Sequence, residues 1–315
     1  MPYGSSRREF LQAAAGAAAG LQLLLASRGA GARSATPQLG ATVLKDNVVQ
    51  ITGLGTNAVL VVGEDGSALV IDSGPAERAA DLVKFVSRYP GVKRIDTLYN
   101  THWHWDHTGG NERFARAGAK IAAHENTKLW LTADFYVPWQ DNRHYLPRPR
   151  EAWPTQTFRV SGKTTFGKEE LVYGYLPRAH TDGDIYLFLP RQNVLVAGCL
   201  VSVGSYPILD YTTGGWIGGA DDASKALLSV VDDKTIIVPG SGPAQTKADL
   251  KAQSDMLSTM HTRLVDAMRS GTGIDDLVAR PPTLEFNSRW GDPSLFVANA
   301  YHGLWGHVRE LGKIV

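Results

Sequence analysis

Cysteine is nearly missing from this 315-residue chain: Cys199 is the only one. One thiol cannot close an internal disulfide, so no covalent staple holds the fold, and a lone thiol is either buried and inert or occupied by a ligand such as a metal. Excess charge is missing too. The 32 Lys and Arg residues offset 31 Asp and Glu, leaving a formal net charge of +1 with His neutral. That balance excludes the basic face of a nucleic-acid binder and an acidic tail. Past residue 32 there is no stretch of about 18 or more consecutive apolar residues, the length a membrane-spanning helix needs. No short-period repeat runs through the chain. What remains is the composition of an ordinary globular protein, 43% hydrophobic and 20% charged, long enough to bury a substantial core.

The N-terminus departs from this. "SSRREFLQ" (5–12) precedes an Ala/Leu-rich run and then "GAGA" (29–32). A charged region, an apolar region and a small-residue cleavage site make a secretory signal. The Arg7-Arg8 pair followed by Phe10-Leu11 resembles the twin-arginine export signal. The expectation is cleavage after Ala32 and export to a bacterial periplasm, with the twin-arginine machinery as partner. Residues 33–41 then form a flexible mature N-terminus, and 42–315 form one domain ending in helices.

Short β-rich runs then mix with amphipathic helices. Strands are expected at 47–53, 57–63, 67–74, 94–100, 120–125, 157–162, 171–177, 184–190, 193–199 and 235–240, and helices at 76–90, 125–131, 221–231, 246–270, 273–279 and 293–312. Strands followed by helices occur twice, which suggests two similar αβ halves packed sheet on sheet with helices outside. Residues 134–154 hold four prolines and several aromatics without a period. They are expected as a long ordered loop that packs its rings on the body or covers a cleft.

Chemistry concentrates in "YNTHWHWDHTGGN" (99–111). A strand ends near Asn100, so His102 and His104, two apart, can project to one side of an extended segment. Asp106 and His107 follow where the chain turns through Gly109-Gly110. Imidazole nitrogens suit zinc and similar divalent ions, and a carboxylate can ligate or orient metal-bound water.

This H-x-H-x-D-H motif, with "GTNAVLVVGEDGSALVIDSG", "AHTDGDIYLFLP", "NVLVAGC" and "IIVPGSGP", resembles the metallo-β-lactamase-fold hydrolases from about residue 42 to 260. The resemblance implies an αββα sandwich of two mixed sheets with helices outside. It also implies a first zinc on His102, His104 and His180, the three-imidazole set of a catalytic metal with one open position. The second site would take Asp106, His107 and a bridging residue, here Cys199 in a strand similar to the "GGCLV" strand of one zinc β-lactamase subgroup. Its last ligand, normally histidine, is Ser241, a poor zinc donor. One zinc is therefore expected, with the second site either holding a weaker zinc completed by water or staying empty.

The implied activity is metal-assisted hydrolysis of a carbonyl compound (ester, lactone or amide). Metal-bound hydroxide is the nucleophile and Asp106 orients it or takes its proton. Asp72 in "VIDSG" is either a residue behind the metal ligands or a turn-former. Tyr206, Asp210 and Trp216 are candidate substrate contacts, set against plain loop packing. No Lys or Arg stands out as an anchor for a β-lactam carboxylate. A zinc β-lactamase, a mononuclear iron oxygenase on the same fold and a non-catalytic metal-binding protein stay open as alternatives. The substrate is a small molecule of undefined structure.

Overall fold

The computed structural model describes residues 38–309. The expected signal segment and the start of the flexible stretch lie outside the described residues. Strand β1 (Gly40–Lys45) begins two residues before the expected domain start. It continues into β2 (Val48–Thr52), β3 (Ala58–Val62), β4 (Ser67–Ile71), β5 (Arg94–Tyr99) and β6 (Lys120–His124). A hairpin of β7 (Phe135–Val137) and β8 (Arg143–Tyr145) precedes β9 (Gln156–Phe158), β10 (Gly162–Phe166), β11 (Glu169–Tyr175), β12 (Ile185–Leu189), β13 (Val194–Gly198) and β14 (Ile236–Pro239).

Two mixed sheets result. The first runs β1-β2-β3-β4-β5-β6-β9, antiparallel up to β4 and parallel from β4 onward. The second runs β10-β11-β12-β13-β14, with only the last pair parallel. Strands buried on both faces read as continuous apolar runs, which is why "VLVAG" and "SALVI" do not alternate. Val59, Val61 and Ile71 of the first sheet pack with Ile185, Leu187 and Val196 of the second in one cluster between the sheets.

Helices cover the outer faces. Helix α1 (Ala79–Ser87) buries Leu82 and Val86 against the first sheet, joined by Phe114. The loop after β5 holds two short helices, α2 (Trp105–Thr108) and α3 (Asn111–Arg116), and α4 (Glu125–Thr132) follows β6. On the second sheet lie α5 (Ile217–Val230) and α6 (Lys247–Arg269). Helices α7 (Ile274–Ala279), α8 (Asn287–Trp290) and α9 (Ser294–Trp305) build a further cluster with Trp216 and Phe296. This is the expected αββα sandwich. No helix of the described residues is long and apolar enough to cross a membrane.

The expected strand 157–162 is instead the short β9 followed by the polar strand β10, whose side chains alternate in exposure. The segment 134–154 is not a bare loop, since it contains the β7–β8 hairpin.

Candidate metal centre

The ends of β5, β13 and β14 meet at one edge of the sandwich. The loop after β5 carries His102, His104, Asp106 and His107, and its Gly109-Gly110 turn lies tight against the loop after β4. A Cβ on Gly109 would stand 2.4 Å from the Ala76 nitrogen, and one on Gly110 2.4 Å from the Ser73 oxygen. Glycine is required there by close approach of backbones. The β11–β12 connection brings His180, and the end of β13 brings Cys199.

Four histidines are oriented by acceptors on their outer sides. The Thr101 hydroxyl donates to Asp72 Oδ2 at 2.8 Å, so it accepts from His102 Nδ1 at 3.0 Å. His107 Nδ1 donates to the same Asp72 oxygen at 2.8 Å. His180 Nδ1 donates to the Ile208 carbonyl at 2.6 Å, and His104 Nε2 donates to Asp210 Oδ2 at 3.0 Å. In its neutral form each ring is thereby left with a lone pair on its inner nitrogen.

Those inner nitrogens converge. His104 Nδ1 and His180 Nε2 are 3.0 Å apart, and His102 Nε2 is buried with no hydrogen-bond partner. The ligand atoms of His102, His104 and His180 lie within 4.8 Å of one another, as do those of His102, His107 and Cys199. Lone pairs facing one another without a donor fit a cation. Burial lowers His102 well below the ordinary histidine range and brings His180 to about 3, so both rings are neutral and neither carries a second proton on its inner nitrogen.

The second half of the site is built differently. His107 Nε2 lies 3.3 Å from Cys199 Sγ and 3.8 Å from Asp106 Oδ2. Burial opposes charge on His107, but Cys199, Asp72 and Asp106 outweigh it and raise its pKa. Burial pushes the Cys199 thiol up. Burial also works against ionised Asp106, yet His107 and His104 hold its pKa below the usual carboxylate value. Carboxylate, imidazole and thiol make a donor set for one divalent ion, and a thiol gives up its proton on metal contact.

Asp72 is settled by its contacts. It is buried and left-handed at φ 62°, and besides the two Oδ2 contacts it accepts from the Thr101 amide at 2.8 Å. It supports the ligand loop from behind as well as forming a turn. Asp184 does the same for the β11–β12 connection, accepting from the His180 amide at 2.7 Å and from the Thr181 amide at 2.8 Å. Burial lifts its pKa to about 7.

A cavity of about 150 Å³ opens over this edge, bordered by Asp106, His107, His180, Cys199, Tyr206 and Ser241 among others. Ser241 thus borders the same cavity as His107 and Cys199. Tyr206 borders the cavity, and its hydroxyl donates to Asn287 at 2.8 Å. Two expectations are corrected. Asp210 is fully buried behind His104, both oxygens engaged, so it is no substrate contact. Trp216 belongs to the helical cluster and stacks on His307 at 4.0 Å, away from the cavity. His124 caps α4 through Asn126 and stacks on Tyr175, a structural role.

A family model described as the metallo-beta-lactamase superfamily matches residues 51–240. The chain belongs to this superfamily. Within it, a type 2 metallo-beta-lactamase of Elizabethkingia meningoseptica is 23% identical over 231 residues, 71% of this chain and 86% of the relative. The alpha subunit of 2,4-dinitroanisole O-demethylase from Nocardioides sp. (strain JS1661) is 27% identical, covering 70% of this chain and 63% of that one. Among solved structures, a metallo-beta-lactamase from Pontibacter korlensis superposes with TM-score 0.57 at 22% identity, over 70% of this chain and 99% of that one. A stereoselective inverting sec-alkylsulfatase from Pseudomonas sp. superposes with TM-score 0.65 at 17% identity, over 84% of this chain and 50% of that one. These structural likenesses establish the metallo-beta-lactamase fold. Members of the superfamily bind metal, typically zinc, and are mostly hydrolytic.

Sequence reasoning missed Thr101 and Asp184. For Asp184 a signal existed in "HTDGD", a carboxylate placed to accept from the turn amides beside it. Thr101 acts through contacts that no local pattern announces.

Proposed function

We propose that this protein is a zinc-dependent hydrolase acting on a carbonyl substrate of the ester, lactone or amide type. The observation that carries the reading is the set of four oriented imidazoles, whose ligand atoms fall into two adjoining groups that share His102: His102, His104 and His180 in one, His102, His107 and Cys199 in the other. His102, His104 and His180 would hold the catalytic metal, and Asp106, His107 and Cys199 a weaker second one that Ser241 leaves short of a donor. A zinc ion there supplies Lewis acidity and a water of lowered pKa.

The chain's own contribution follows from the contacts. Asp106, held ionised by its neighbouring histidines and bordering the cavity, accepts the proton of the attacking water. Thr101, Asp72, Asp210 and the Ile208 carbonyl keep the four rings from rotating, so no reorganisation is needed when charge develops. The lining described for the cavity contains no Lys or Arg, and Val201, Val203, Tyr206 and Ile208 give it an apolar side. That supports a small uncharged acyl compound over a β-lactam with its carboxylate.

The test is metal analysis of the purified protein beside a panel of esters, lactones, β-lactams, an alkyl sulfate and an aryl methyl ether. The last two are included because of the alkylsulfatase and O-demethylase likenesses. Close to one tightly held zinc per chain and turnover of an ester or lactone are expected, with Ser241→His raising zinc uptake. His102→Ala should abolish turnover. Full activity in that variant would end the proposal, and two tightly held zincs in the unmodified chain would end the weighting toward one.

A further inference from the structure

The β7–β8 hairpin is anchored on the ligand loop from outside. Trp103, between two of the metal-site histidines, takes Phe135 and Tyr145 edge-on at 5.2 and 5.1 Å. At the hairpin's turn the half-buried Trp139 sends its indole Nε1–H to Asp210 Oδ1 at 2.8 Å. The other oxygen of that carboxylate, Oδ2, accepts from His104 Nε2 at 3.0 Å and from the Thr213 hydroxyl at 2.7 Å. The other donor to Oδ1 is the Thr212 amide, at a longer 3.2 Å. Asp210 is fully buried, so bulk solvent does not reach it to replace a lost donor.

We infer that Trp139 is a positioning residue of the metal centre: by clamping Asp210 it fixes His104 with Nε2 protonated and Nδ1 turned inward as a ligand. The hairpin is then part of the metal site and not only a cover over it. The chemistry is directional. A carboxylate oriented by a strong donor on one oxygen presents the other squarely to the imidazole N–H, fixing the tautomer and raising the basicity of the ligating nitrogen. Without the indole N–H the carboxylate keeps one long contact on Oδ1 and can rotate, and His104 loses its preference between tautomers. The inference rests on the proposed metal at His102, His104 and His180, but not on any particular reaction.

Trp139→Phe removes the N–H and keeps an aromatic ring beside His104. Zinc affinity would be measured by competition with a chromophoric chelator, and site geometry by the visible spectrum after cobalt(II) substitution. Melting of the metal-free protein would be followed in parallel. The expected result is zinc binding about 10-fold weaker or more, of the size that removing a hydrogen-bond partner of a metal-binding histidine produces. The cobalt spectrum should change, and the metal-free melting temperature should match the parent. Asp210→Asn should weaken zinc in the same direction and further.

Zinc affinity within twofold of the parent would overturn the inference, most sharply if Asp210→Asn is impaired and Trp139→Phe is not. An equal fall in melting temperature with and without metal would also overturn it, because Trp139 would then be a packing residue. The readout is affinity and not turnover. A chain that binds zinc but hydrolyses nothing would defeat the proposed activity while leaving the Trp139 result standing.

Discussion

Each histidine at the metal edge has one nitrogen committed to a fixed oxygen, and Asp72 serves two of them, His107 directly and His102 through Thr101. Asp72→Asn is expected to keep the backbone, because Asn tolerates the left-handed region almost as well as Asp. It would, however, present an amide where a carboxylate accepted three hydrogen bonds. Metal titration should show the weaker second site, with His107, lost first, its affinity down about 10-fold or more. At this scale legibility divides cleanly. His102, His104, Asp106 and His107 stand side by side in the sequence, and His180 and Cys199 sit in segments with a shape of their own. Asp210 reads in the sequence only as a candidate substrate contact or a packed loop residue, because its contact with His104 spans 106 positions and depends on complete burial. A sequence displays neither.

Among the elements, the β13–β14 edge places an unusual demand on glycine. A Cβ on Gly240 would lie 2.5 Å from Cys199 Sγ. Gly240→Ala should therefore displace the thiol, and thiol labelling of metal-loaded protein should be faster in the variant than in the parent. Helix α6 illustrates the opposite case, a local rule written openly. Thr246 and Asp249 form a reciprocal capping box, with the Asp249 amide donating to Thr246 Oγ1 at 3.3 Å and the Thr246 amide donating to Asp249 at 3.0 Å. Thr246→Ala should cost about 1 kcal/mol, which a melting experiment would read as a drop of about 2–4 °C. Helix α6 matched its expected bounds almost to the residue because cap and apolar stripe agree. Strand β10 escaped because it is an edge strand with polar, exposed side chains, and its pairing with β11 comes from tertiary context. The β7–β8 hairpin escaped because prolines and aromatics hide a three-residue period-2 signal.

For the molecule as a whole, the layered architecture followed from the order of strands and helices, whereas the packing of the C-terminal helices did not. Part of that packing turns on Asp221, which accepts from Ser258 of α6 and from Lys225 at 2.8 Å and lies 3.9 Å from His261. Burial opposes its charge, but those three partners bring its pKa from 3.8 down to about 2. Because the folded carboxyl is depressed, the unfolded chain takes up its proton first as the solution is acidified. The contribution is whole above about pH 4 and is lost toward pH 2. Denaturant melts across that window should show a shallower acid decline for Asp221→Asn than for the parent, from a lower starting stability. An unchanged slope would assign the acid sensitivity to other carboxylates.

The proposed ligand residues come from both halves of the sandwich: His102, His104 and His107 follow β5 of the first sheet, while His180 and Cys199 come from the second. His107 and Cys199 are 92 positions apart in the chain and 3.3 Å apart in space. An ion held by both sides would in effect be a rivet through the seam between two leaves that are otherwise held by greasy contact. Removing it should loosen the molecule along that seam ahead of everything else. Hydrogen exchange should accelerate first in the amides of β5 and β13, while the outer helices, each packed on its own leaf, keep their protection until the leaves part.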